Sequence, residues 1–193
     1  MPTYGGGMEI IMSTVLTALN KPRLSIKNQT IAAILATAAA VVLPQLVHLM
    51  GKISGMGTTL GVALLPMHLP IIPVGILAGA YAGGIAGLLS PLASFALTGM
   101  PVWANLPFMM VELSIYGLSA GLLRGTKMPV IAKVLISQLA GRIFYAIAIA
   151  AAIYLFGDTQ LEISQIWSSV TTGIFGLVLQ WTLIPLIAYR VKN

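Results

Sequence analysis

The chain has 193 residues, of which 58% are hydrophobic and only 7% charged, against about 25% charged in an ordinary soluble domain. Mean hydropathy is +0.98, and uncharged runs repeatedly exceed the roughly 20 residues that cross a bilayer, which excludes a water-soluble domain. Net charge is +6, from ten basic and four acidic residues. The basic groups sit at the ends of apolar runs without interleaved aromatic residues, so they read as topology signals and nucleic acid is excluded. There is no cysteine, hence no disulfide, thiolate metal site or cysteine nucleophile. The expected class is all-α: a polytopic membrane protein built as a six-transmembrane-helix bundle.

Residues 1–27 form a cytoplasmic or interfacial lead, broken at Gly5 to Gly7, with a short interfacial helix expected over Ile10 to Leu19. No removable signal peptide is expected, because a basic region, apolar core and cleavage site do not follow one another. Lys21, Arg23 and Lys27 mark a charged boundary. The transmembrane domain occupies 28–190, and 191–193 are a tail. Asn28 to Met50 is the first span, with His48 near its far end, and Gly51, Gly55 and Gly57 make a flexible connection.

The stretch from Ile53 to Val111 carries no Asp, Glu, Lys or Arg. As one helix it would run about 90 Å at about 1.5 Å per residue, so it must fold back. Spans over 60–79 and 81–99 divide it, with a weak boundary near Gly79 to Tyr81. Pro66, Pro70 and Pro73 remove backbone donors and should leave the outer half of the second span broken or kinked. Broken helices often line solute sites in transporters. A fourth span runs from about Asn105 to before Arg124, a fifth from Lys127 to Phe156 and a sixth from Ile166 to Tyr189. Six spans put Lys21, Arg23, Lys27, Arg124, Lys127, Lys133, Arg190 and Lys192 on one side, and Lys52, Asp158 and Glu162 on the other. The excess of basic residues makes the first side, and both termini, cytoplasmic.

Ionisable groups at membrane depth are costly unless paired or hydrated. Glu112 in the fourth span and Arg142 in the fifth read as a buried structural pair, as solute contacts, or as both. His48 and His68, near outer helix ends, fit helix-end anchoring or solute hydrogen bonding. Two histidines without a carboxylate or cysteine set make a poor metal site, and none is expected. A phosphate loop and an activated nucleophile are both missing, so no catalytic residue and no enzyme activity is expected. Ala32, Ala36 and Ala40 recur every fourth residue, a ridge that admits close helix approach, either within the chain or from another subunit.

From Leu65 to Pro101 the chain reads LPMHLPIIPVGILAGAYAGGIAGLLSPLASFALTGMP, and Leu106 to Leu123 reads LPFMMVELSIYGLSAGLL. This resembles the substrate-binding S components of energy-coupling factor (ECF) vitamin transporters. VVLPQLVHLMG in the first span and QLAGRIFYAIAI in the fifth extend the likeness. The resemblance implies a six-helix subunit of a prokaryotic cell membrane that captures a vitamin-like small molecule outside the cell. It would bind no catalytic cofactor and would join a transmembrane coupling subunit and two cytoplasmic ATPase subunits. It further implies coupling-subunit docking at Ala32, Ala36 and Ala40. Solute contacts would come from the outer halves of the helices, where His68, Trp103, Asn105, Glu112, Tyr116, Arg142 and Tyr145 fall. A structural or assembly subunit without a solute, and a stand-alone carrier, are the alternatives.

The topology is checked by labelling in whole cells, helped by the cysteine-free background. Tyr4→Cys and Lys192→Cys variants should both resist an impermeant thiol reagent in intact cells and react after lysis. Labelling of only one of them contradicts an even number of spans.

Overall fold

A computed structural model describes residues 24–57, 59–155, 157 and 161–192. The interfacial helix expected over Ile10 to Leu19, and Lys21, Arg23 and Asp158, lie outside the described residues. Among the described residues 83% are helical and none lies in a strand. The described residues form eight α-helices, in order: α1 (Ile26–Ile53), α2 (Thr59–Leu64), α3 (Ile71–Ala78), α4 (Ala80–Thr98), α5 (Leu106–Leu122), α6 (Val130–Tyr154), α7 (Ser164–Thr172) and α8 (Ile174–Lys192). Single 3-10 turns precede and follow α5.

α1 and α4, α5 with its flanking turns, and α6 are long and apolar enough to cross a membrane. α7 and α8, bent by 51° at Gly173, make a fifth crossing if they are counted as one. The outer surface agrees with an apolar solvent: Leu35, Leu97, Leu139, Ile147 and Leu186 are all exposed, on a scale a soluble monomer does not tolerate. Several hydroxyl groups inside these helices are satisfied locally. Ser114, Ser137 and Thr98 donate to the carbonyl four residues back, the arrangement that lets a polar side chain sit in hydrocarbon.

The expected span over 60–79 is not a continuous helix. Six residues of α2 and eight of α3 are separated by a turn over 65–70. Pro66 and Pro70 each lack the N–H that would carry the helix through this stretch. Leu65 adopts a left-handed conformation with φ 47°, which a non-glycine residue seldom does. The break is therefore deeper than a kink, and it falls in the first half of the segment, at the proline cluster. α3 ends at Gly79, whose φ of 123° is open only to glycine at low cost. α4 starts at the next residue.

Packing is closest where side chains vanish. α4 and α5 form the most extensive helix contact of the bundle. Gly83 and Gly117 face each other there, and a Cβ on either would run into the other's backbone. Gly87 likewise lies against the Leu113 carbonyl. Such small-residue crossings replace the hydrophobic drive that helices lack in lipid. Ala36 and Ala40 are buried within the chain itself, and Ala32 is half-buried. The alanine ridge of α1 is thus largely covered by the chain's own core.

At the basic end the chain closes its own helix ends. Lys133 donates Nζ to the carbonyls of Arg124 and Thr126 at 3.2 and 3.0 Å. Arg124 donates to the Ala78 carbonyl at 3.5 Å. Both cations meet the negative C-terminal ends of helices, α5 and α3 respectively.

Gly117→Ala should lower the melting temperature of the purified protein, at a cost of about 1–3 kcal/mol from overpacking. Gly84→Ala, whose added Cβ would make only ordinary contact with Leu118, should leave it nearly unchanged. Equal behaviour of the two would contradict the close α4–α5 crossing.

Candidate functional site

Antiparallel helices bring distant residues to one depth. The second half of α1, the 65–70 turn, the end of α4, the start of α5, the middle of α6 and α7 surround a cavity of about 360 Å3. It lies at the end of the bundle opposite Arg124 and Lys133. Its wall mixes apolar groups (Leu65, Met67, Met100, Val102, Met109) with His48, His68, Glu112, Arg142 and Ser169.

Glu112 anchors the polar side. Its carboxylate is 3% exposed, a position at which an isolated charge would not survive. The Tyr116 hydroxyl, one helical turn on, donates to Oε1 at 2.8 Å. Arg142 Nε stands 3.2 Å from the same oxygen. Tyr116 is wholly buried, and its ring lies where a Cβ on Gly141 would be. Gly141 therefore seats the ring, and with it the hydroxyl, between α5 and α6. Arg142 follows Gly141 directly, so one short stretch of α6 supplies both the seat and the counter-charge.

Arg142 is itself held from the far side. Its Nη1 donates to Ser169 Oγ at 3.0 Å and its Nη2 to the Ser169 carbonyl at 3.5 Å. α7 is thereby tied to the α5–α6 pair through one guanidinium. His68 sits in the proline turn, 3% exposed. Its ring packs on Tyr116 at 5.5 Å, and Nε2 lies 3.9 Å from Glu112 Oε2, beyond hydrogen-bond length. Both His68 ring nitrogens and Nδ1 of His48 lack a hydrogen-bond partner. The His48 ring occupies the space beside Gly61 on α2.

Of the residues singled out in the sequence, His68, Asn105, Glu112, Arg142 and Tyr145 line this one cavity. Tyr116 stands behind the wall and bonds Glu112. Trp103 does not line it: it is exposed and packs on Phe95. Glu112 and Arg142 form the pair, and the pair also faces the cavity, so the structural and solute-contact readings coincide in space. No cluster of three or more His, Cys, Asp or Glu able to hold a metal occurs among the described residues.

Ser169, Gly61 and Gly141 were not legible as site residues, since nothing local marks a serine or glycine whose partner lies on another helix. A second polar contact escaped for the same reason. Gln138 donates to Gln180 Oε1 at 3.0 Å and accepts from the Trp181 indole at 2.6 Å, joining α6 to α8. Searched against protein-family models, curated proteins and solved structures, the chain matches none.

Glu112→Gln and Arg142→Gln should each destabilise the bundle by about 3–5 kcal/mol, because each leaves a buried charge without its partner. The double variant should recover most of that loss. Thermal unfolding of the four proteins measures it, and purely additive losses would contradict the pairing.

Proposed function

We propose that the chain is the solute-binding membrane subunit of an ATP-driven uptake system of the energy-coupling factor type, and that it captures a vitamin or related micronutrient. The cavity supports this reading: a solute-sized space at one end of the bundle, with a buried ion pair on its wall and two wall histidines whose buried nitrogens lack a hydrogen bond in the protein. A subunit with only a structural or assembly role gains nothing from buried, unbonded polar atoms, which cost stability. A solute that bonds them offsets that cost. Site volume agrees, since small-molecule pockets occupy about 300–1,000 Å3.

On this reading the broken α2–α3 segment is the second of six crossings and both termini are cytoplasmic. The proline turn then reaches the outer surface, where it forms part of the entrance. The chain hydrolyses no ATP; two cytoplasmic ATPase subunits do so, through a transmembrane coupling subunit. Ala32, the least covered residue of the α1 ridge, is the part of it still open to that subunit, and Ala36 and Ala40 support it from within.

Protein purified gently from its host should release one low-mass organic compound in stoichiometric amount on denaturation, identified by mass spectrometry. Release of nothing except lipid and detergent would contradict the proposal.

A further inference from the structure

The chemistry of the cavity wall narrows the solute, and this inference rests on the solute-binding reading above. Among the described residues the wall holds one carboxylate, Glu112, and one guanidinium, Arg142. These stand 3.2 Å apart and cancel. Arg142 is further committed to Ser169, and Glu112 to Tyr116. A solute with a net charge would therefore enter a low-dielectric site with no free counter-charge, a costly transfer.

What the wall does offer is imidazole nitrogen that makes no hydrogen bond within the protein. Both nitrogens of His68 and Nδ1 of His48 have no hydrogen-bond partner in the protein, the Glu112 carboxylate lying 3.9 Å from His68 Nε2. A neutral imidazole carries one N–H donor and one acceptor, so the pair reads a solute that has both donors and acceptors. Around them Leu65, Met67, Met100, Val102 and Met109 give an apolar lining. Thioether side chains pack well on aromatic rings. A space of about 360 Å3 accommodates one or two rings.

We infer that the solute is a compact heteroaromatic molecule without net charge at neutral pH, bearing hydroxyl, amide or ring-nitrogen groups that hydrogen-bond His68 and His48. The ion pair of Glu112 and Arg142 shapes the site and its dielectric, and the two histidines supply recognition.

The probe is the low-molecular-mass pool of a bacterial cell extract, separated at neutral pH into an anion-exchanger-bound, a cation-exchanger-bound and an unbound fraction. Thermal stabilisation of the solute-free, detergent-purified full chain is measured with each. The unbound fraction should stabilise it. His68→Phe, which keeps a ring against Tyr116 but removes both nitrogens, should raise the amount of that fraction needed for half-maximal effect by roughly tenfold, the value of about one hydrogen bond. His48→Phe should act in the same direction. Because these nitrogens make no hydrogen bond in the protein, and His68 meets Glu112 only at 3.9 Å, the melting temperature of the solute-free variants should stay near that of the parent. If His68→Phe unfolds the protein, His48→Phe carries the test. Stabilisation by an ion-exchanger-bound fraction alone, or full response of folded histidine variants to the unbound fraction, would overturn the inference and leave the solute-binding reading standing. Stabilisation by no fraction would instead remove the solute-binding reading, and this inference with it.

Discussion

A carboxylate buried among apolar helices is the constraint around which the rest is arranged. Glu112 is tolerated only because Tyr116 donates to it and Arg142 faces it. Each of those partners needs support in turn. Tyr116 reaches its place because Gly141 has no side chain. Arg142 keeps its direction because Ser169 holds its far end. Four elements (α5, α6, α7 and the proline turn with His68) are thus brought to one depth by a single charge. A bundle that merely filled its centre would place apolar residues at these positions, at lower cost.

The surrounding helices supply what this arrangement requires, rigidity on one side and an opening on the other. Gly83 against Gly117 and Gly87 against Leu113 lock α4 to α5 at backbone contact, and Gln138, Gln180 and Trp181 tie α6 to α8. At the cavity end the chain does the opposite. The prolines of the 65–70 turn prevent a helix from filling the space, and α7 bends away from α8 by 51°. The irregular backbone of the 65–70 turn lines the cavity it leaves open.

Much of the fold was legible because charge is so scarce. Arg124 and Lys127 mark the α5–α6 connection, and uncharged runs place α1, α4, α5 and α6 within a few residues of where they lie. The proline cluster revealed a break but not its extent, since local rules show where hydrogen bonds fail and not how far the chain departs. The opposite charges of Glu112 and Arg142 allowed their pairing to be anticipated from chain direction and depth alone. Trp103 shows the limit: it lies close in sequence to the cavity residue Asn105, yet its ring turns to Phe95. Ser169 and Gly141 show the other limit, since their roles exist only once α6 meets α5 and α7. The alanine spacing on α1 told that something packs closely, and the structure shows that the chain's own core covers Ala36 and Ala40.

The central claim is that the cavity beside Glu112 and Arg142 is a solute site. An experimental density map of the protein in lipid nanodiscs, purified gently and without added solute, tests it most directly. The account predicts a compact organic density within hydrogen-bond distance of His68, with the Glu112–Arg142 pair intact behind it. A cavity filled by a lipid acyl chain, or collapsed so that His68 bonds a protein group, would contradict it.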